Sequence, residues 1–227
     1  MQVKNISENA GVILRKLVCY TAGLFLIALG INVAKTAGLG ISPVSSTPYA
    51  IELIWGIELG RATAIVLFTL MFVQILLLRR DYKVINLLQF FVLSLFSFFV
   101  TATSRKYFVL SWLPDPSCYV MSLIYTLASA AVIGTGVSLY LIPKWVPMPP
   151  EGLAVAITQK WKNIPIHNAK NFVDISLVSA AIILSLIFGG KIEAVREGTI
   201  ISALLVGRFV GIANKLYKEK LLSWVGK

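Results

Sequence analysis

The sequence predicts an all-α membrane protein, with six transmembrane helices as two inverted three-helix repeats. Each repeat also carries one short proline-led helix, either re-entrant or interfacial. Three observations carry this expectation. The 227-residue chain is 57% hydrophobic and only 14% charged, whereas soluble domains are roughly a quarter charged. Its mean hydropathy is +0.82. One pattern also recurs in register: Gly30, Pro43, Ile51 and Trp55 are followed, without a gap, by Gly136, Pro149, Ile157 and Trp161, each 106 residues on. A membrane chain built from two such halves is the usual mark of a transporter-like duplication.

Six apolar runs are long enough, or nearly so, to cross a hydrocarbon core of ~30 Å, which takes ~20 helical residues. They cover 17–34, 62–78, 84–104, 117–142, 168–189 and 198–214. Open strands cannot span lipid, so helices are the only option for such runs. Asp174 interrupts the fifth run and Arg208 the sixth, which makes these two the least regular. The chain reads as a single membrane domain, 1–227, with repeats at about 15–105 and 117–217. The first run also resembles a signal peptide, but no small-residue cleavage site precedes a soluble domain, and it reads as a retained helix.

Charge fixes the expected orientation. The net charge of +11 would suggest nucleic acid in a soluble protein, but its distribution follows the membrane. With both termini cytoplasmic, fourteen of the 21 Lys and Arg residues fall inside, among them Lys4, Arg15, Lys16, Arg79, Arg80, Lys144, Lys218 and Lys227. Six fall outside (Lys35, Arg61, Arg105, Lys106, Lys191 and Arg196), and Arg208 lies within a span. This is the positive-inside pattern, and nucleic-acid binding has no separate support. Trp55 and Trp112 then fall near the outer interface, and Trp145, Trp161 and Trp224 near the inner one, where indoles prefer to sit. Cys19 and Cys118 fall near opposite faces, too far apart for a disulfide. Two Cys and one His offer no metal-ligand spacing, and neither a metal nor a cofactor is expected.

The segments outside the spans carry the functional argument. In the first half, Gly38, Gly40 and Ser42 precede a helix beginning at Pro43; in the second, Pro149 and Pro150 open a helix with Glu151 in its first turn. Ser42 suits an N-cap and Pro43 a first helical position; Glu151 complements the helix dipole. Seven extended residues reach ~23–25 Å, enough to return to the midplane, and thirteen helical residues rise ~20 Å back to the interface. In that arrangement both N-termini point free N–H groups at a shared site suited to a small polar or anionic solute. Alternatively both helices lie flat on the surface, each with one apolar face. Pro48 and Lys144 fit that alternative better. The candidate ligand-binding residues are Ser42, Pro43, Ser45, Ser46, Pro149, Pro150, Glu151 and Gly152.

Asp174 and Arg208 both fall ~10 Å deep, counted at ~1.5 Å per residue from the inner ends of their spans, so they could pair across adjacent helices, lining a polar cavity or simply fixing the two helices; alternatively Arg208 snorkels to the interface. Asn32, Gln74 and Gln89 suit interhelical hydrogen bonds, with Glu52 at a rim and His167 at an interface. Ala130, Gly134 and Ser138, and likewise Ala203, Gly207 and Gly211, form small-residue stripes. These are packing surfaces within a monomer or seams of a homo-oligomer.

From about Val12 to Tyr217 the chain resembles the bacterial YczE/YyaS/YitT group of multipass membrane proteins. The likeness rests on Gly38-Leu39-Gly40-Ile41-Ser42-Pro43, Pro150-Glu151-Gly152-Leu153, Asp174, and Arg196-Glu197-Gly198-Thr199. The chain has Val44 and Ser45 where that group has an aromatic residue and an acid, so no ligand role for that acid carries over. The resemblance implies a bacterial inner-membrane protein of transporter type, without a settled substrate.

The leading expectation is therefore a small-solute transporter whose site lies near the two proline-led helices. The alternatives are a substrate-binding membrane component that needs an energising partner, and a non-transporting scaffold or assembly factor. An enzyme is not expected, because no Ser–His–Asp set or phosphate-cradling loop stands out and His167 is the lone histidine.

Overall fold

The computed structural model describes residues 2–106, 110–189 and 192–226. Lys191, Lys227 and the side chain of Lys4, all used in the charge count, lie outside the described residues. Eight α-helices follow one another: α1 (Gln2–Ala37), α2 (Pro43–Trp55), α3 (Leu59–Leu78), α4 (Gln89–Ala102), α5 (Tyr119–Leu141), α6 (Pro149–Lys160), α7 (Ile166–Leu184) and α8 (Glu197–Val225). Two 3-10 turns lead into α4, and a π-helical turn, Ser185–Gly189, extends α7. No strand occurs among the described residues.

Six helices are long and apolar enough to cross a membrane, as the apolar runs predict, including the two interrupted by Asp174 and Arg208; α4 reaches that length together with the 3-10 turn before it, as Val84–Ala102. Their outward faces carry Phe68, Phe72, Phe98, Phe172, Ile175 and Leu204, all exposed. An apolar surface of this kind is in keeping with lipid contact. The helices themselves outrun the apolar stretches. α8 continues to Val225 through Lys215, Lys218 and Lys220, because charged residues beyond the apolar stretch are still good helix formers.

At the centre, α1 and α5 cross at very short range. A methyl group at Gly136 would stand 2.7 Å from the Gly23 carbonyl oxygen and 2.8 Å from the Ile27 nitrogen. One at Gly30 would meet the Ser129 carbonyl oxygen at 3.0 Å and the Ile133 side chain at 2.6 Å. Small residues allow helix backbones to approach where lipid supplies no hydrophobic drive. Each of these helices then holds one more. Asn32 of α1, 2% exposed, donates to the Val100 carbonyl of α4 (2.8 Å) and to the hydroxyl of Thr103, which caps its C-terminus (2.9 Å). Ser138 of α5 donates to Asn214 of α8 at 2.8 Å, and Tyr217 of α8 donates to the Thr135 carbonyl.

The other four helices form two hairpins, α2–α3 and α6–α7, in which each short helix also packs on the long helix of the opposite hairpin, α2 on α7 and α6 on α3. Exchanging the halves preserves every one of these pairings. The exceptions are α3 with α4, since α7 and α8 do not pack comparably, and the lighter contacts of α8 with α1 and α2, which α4 does not match with α5 and α6.

Neither short helix lies along the outside. Ser45, Ser46, Thr47, Pro48 and Ala50 of α2 are buried, as are Pro149, Pro150, Gly152, Leu153, Ala154, Ala156 and Ile157 of α6. The surface position expected from Pro48 is thus overturned; its ring is packed inside the bundle. Lys144, by contrast, is exposed.

One end of the bundle is closed by the two glycine motifs. Gly198 donates its N–H to the Leu39 carbonyl at 2.8 Å, Arg196 reaches the Gly38 carbonyl at 3.0 Å, and Ile41 donates to the Ala194 carbonyl. Gly40, at φ +85°, lies so close that a methyl group there would stand 2.6 Å from the Arg196 nitrogen. Only glycine meets both demands. Both termini lie at the other end, where Arg15 donates to the Trp224 carbonyl and the Val12 side chain approaches Gly226. The cysteines are free; Cys19 is buried beside Ile142 and Val225, and Cys118 caps the opposite end of α5.

The small-residue stripes part company. Gly134 packs on Val206, Phe209 and Val210, so the α5 stripe is an internal seam, whereas Gly207 and Gly211 of α8 face open space. Gly136→Val should therefore lower stability by about 1–3 kcal/mol through overpacking at the α1–α5 crossing. Gly207→Ala should leave the melting temperature of the detergent-purified protein unchanged or raised; thermal unfolding of both variants checks this.

Candidate functional site

α2 runs alongside α7, with the Thr47 hydroxyl donating to the Leu177 carbonyl at 2.6 Å and Trp55 packed on Phe188. Four residues back from Thr47, at ~1.5 Å each, Pro43 falls near the level of Val173. Glu151, in the first turn of α6, faces Lys170 and is drawn to the same level, because Lys170 also approaches Asp174. Val44 of α2 and Leu153 of α6 join one apolar cluster with Val173 and Leu177. The two proline-led N-termini thus enter the bundle at one level of α7.

Around the start of α6 the polar groups are concentrated and under-satisfied. The Lys170 ammonium stands 3.9 Å from Glu151 Oε1 and 3.6 Å from Asp174 Oδ2. Gln74 donates to the Pro149 carbonyl at 2.9 Å, and Gln89 donates to Gln74 at 3.3 Å; both glutamines are 1% exposed. Gly152 leaves room for these amides: a methyl group there would lie 2.5 Å from the Gln89 amide nitrogen and would have to displace it. The Tyr140 hydroxyl lies beside the Glu151 carboxyl. Three buried atoms in this group, Glu151 Oε2, Asp174 Oδ1 and Gln89 Oε1, make no hydrogen bond of ordinary geometry; nor does Tyr140 Oη, although it lies within reach of the Glu151 carboxyl and the Met148 backbone. Leaving such an atom unpaired costs about 1–3 kcal/mol, and more when it is charged.

The sequence-derived candidates divide. Pro149, Pro150, Glu151, Gly152 and Asp174 come together, with Gln74 and Gln89 bonded between helices as expected. Ser42, Ser45 and Ser46 remain on α2, where their hydroxyls are engaged locally: Ser42 and Ser45 stand 3.4 Å apart, and Ser46 donates to the Pro43 carbonyl at 2.7 Å. Pro43 occupies the first helical position as predicted. Ser42 holds the N-cap position without a side-chain capping bond, because its own carbonyl already takes the Ser45 N–H.

The Asp174–Arg208 pair does not form. Arg208 lies on the exposed face of α8, and Asp174 is matched by Lys170, one turn away on its own helix. Equal depth was not enough, because α8 packs on α5 while α7 packs on α2 and α6.

A second polar feature escaped the sequence reading. At the end opposite the termini, a cavity of about 800 Å³ opens between α1, α2, α3 and α4. Asn32, Lys35, Tyr49, Glu52, Glu58 and Arg61 are among its lining residues, and no residue of α6 or α7 is. Lys35 and Glu52 pair at 2.7 Å, while Glu58 Oε1 and Ser104 Oγ are buried and unpartnered. Glu52 therefore does sit at a rim, but of this cavity. The missed signal was Asn32, Lys35 and Thr36, a polar stripe at helical spacing where α1 ends.

The chain belongs to a family of unknown function (DUF6198), whose family model matches residues 14–215. No curated protein and no solved structure matches it.

A double-mutant cycle on Lys170→Met and Asp174→Asn should give a coupling of about 0.5–1 kcal/mol, as for a partly exposed pair. The same cycle with Arg208→Gln should give none beyond ~0.3–0.5 kcal/mol, read from chemical unfolding in detergent.

Proposed function

We propose that this member of the DUF6198 family moves a small polar solute across the membrane, recognising it where α6 begins inside the bundle. The observation that carries the proposal is the under-satisfied group around Glu151 and Asp174, at the level where both proline-led helices start. Helix N-termini inside a membrane bundle are a recurrent way to build a solute site. The cavity lined by Lys35 and Glu52 is the vestibule on one side. It is separated from Glu151 here, as expected of a closed state. Two carboxylates against one ammonium favour a solute with a cationic or amine group over a purely anionic one.

The reading includes inverted-topology repeats and re-entrant short helices. Both are supported by the pairing that survives exchange of the halves, and by the α1–α5 contacts. Shifted by the 106-residue repeat, the contact of Gly30 with Ser129 and Ile133 becomes that of Gly136 with Gly23 and Ile27. The resemblance to the YczE/YyaS/YitT group supports a bacterial inner membrane, and the charge distribution supports cytoplasmic termini. A scaffold role is the second reading, favoured by the open face at Gly207 and Gly211.

A thermal-stability screen of the purified protein against small amines, amino acids and organic acids tests the proposal. A stabilising solute should lose at least about tenfold in apparent affinity in Glu151→Gln, by linkage, and its uptake into proteoliposomes should fall comparably. Full uptake by a folded Glu151→Gln variant would remove Glu151 from the site. Binding without uptake would favour a component that needs an energising partner.

A further inference from the structure

At the end carrying both termini, α1, α5 and α8 enclose a second polar cavity of about 450 Å³. Three lysines line it, Lys16, Lys144 and Lys218, and no Asp or Glu does; Glu219, next in sequence to Lys218, is absent from the lining. None of the three ammonium groups has a carboxylate partner among the described residues. Ser138 donates to Asn214 Oδ1 on the same wall, which leaves the Asn214 amide N–H groups as further donors. Three cations without a carboxylate partner among the described residues, with neutral donors around the same cavity, suit a phosphate-type anion.

A second cavity adjoins it. About 830 Å³ in volume, it is lined largely by apolar and aromatic side chains, among them Leu17, Tyr20, Phe91, Leu95 and Trp145, and it shares Lys144 with the first. The shared wall is firmly placed. Tyr20 donates to the Val146 carbonyl at 2.7 Å and packs on Trp145 with ring centroids 5.6 Å apart. Lys144 adopts φ +52°, uncommon for a residue with a side chain. A cationic pocket joined to an apolar groove fits an amphiphile, not a free ion.

We propose that this composite site binds an anionic phospholipid, with its phosphate among Lys16, Lys144 and Lys218 and an acyl chain along Leu17, Phe91 and Trp145. Basic pockets between membrane helices hold anionic headgroups by this chemistry. The assignment is independent of the proposed solute site, from which it shares no charged residue.

The test is thermal unfolding and native mass spectrometry of the detergent-purified full chain with added dioleoylphosphatidylglycerol, dioleoylphosphatidylcholine or inorganic phosphate. The anionic lipid should raise the melting temperature saturably and remain bound in the gas phase, while the other two do neither. The combined Lys16→Gln, Lys144→Gln, Lys218→Gln variant should weaken the anionic lipid by at least about tenfold, since each basic residue near a headgroup contributes roughly fivefold. Lys218→Gln alone, at an exposed position, should show part of that loss should the triple variant not fold, and Lys215→Gln, outside the cavity, none. An equal response to phosphatidylcholine would overturn the cationic half of the site. An equal response to inorganic phosphate would overturn the lipid assignment in favour of a soluble anion. Unchanged affinity in Lys218→Gln would overturn the headgroup placement.

Discussion

The close crossing of α1 and α5 is the constraint from which the other helices take their positions. Lipid offers no hydrophobic reward for bringing two apolar helices together, so contact has to come from backbone proximity and interhelical hydrogen bonds. Gly23, Gly30 and Gly136 supply the proximity, with Ser129 as the fourth small residue. The hydrogen bonds follow on each side, through Asn32 to α4 and through Ser138 to α8. Large side chains at the glycines would push the central pair apart and displace both outer helices with it.

Burying two short helices beside this core creates the polar problem that defines the candidate site. A helix that begins inside a bundle leaves N–H groups and flanking carbonyls away from water. Gln74 answers part of this by donating to the Pro149 carbonyl, and Gln89 supports Gln74 in turn. Around Glu151, Asp174 and Tyr140 the answer is incomplete. Buried polar atoms are usually satisfied, so a concentration of unsatisfied ones in one place points to a ligand, water or proton.

The spans were legible because apolar run length is a direct measure of bilayer crossing. Glu151 was legible for a local reason, an acid in the first turn of a proline-opened helix, and Gln74 and Gln89 because amides in apolar helices need partners. Neighbour relations were not legible. Asp174 and Arg208 were expected at similar depth, but depth does not say which helices touch, and Lys170 on the same face of α7 reaches Asp174 without any tertiary contact. The cavity at Lys35 and Glu52 was hidden for the same reason, since its walls come from four helices. The ends of α1 and α8 were underestimated because hydropathy falls before helix propensity does.

The two ends of the bundle are unequally fastened. Away from the termini, the α1–α2 and α7–α8 connections are joined backbone to backbone, through Gly198 to Leu39 and Ile41 to Ala194, with Arg196 across the seam. At the other end, the α5–α6 connection is held by the side chain of Tyr20. The fastening thus differs in kind: backbone bonds between connections at one end, and side-chain contacts, from Tyr20 to Val146 and from Arg15 to Trp224, at the other. Because the α1–α2 and α7–α8 connections share backbone hydrogen bonds, neither can be displaced without breaking those bonds or carrying the other with it. The glycines that allow this close approach, Gly40 and Gly198, therefore tie the two halves of the chain together as well as shaping a local turn.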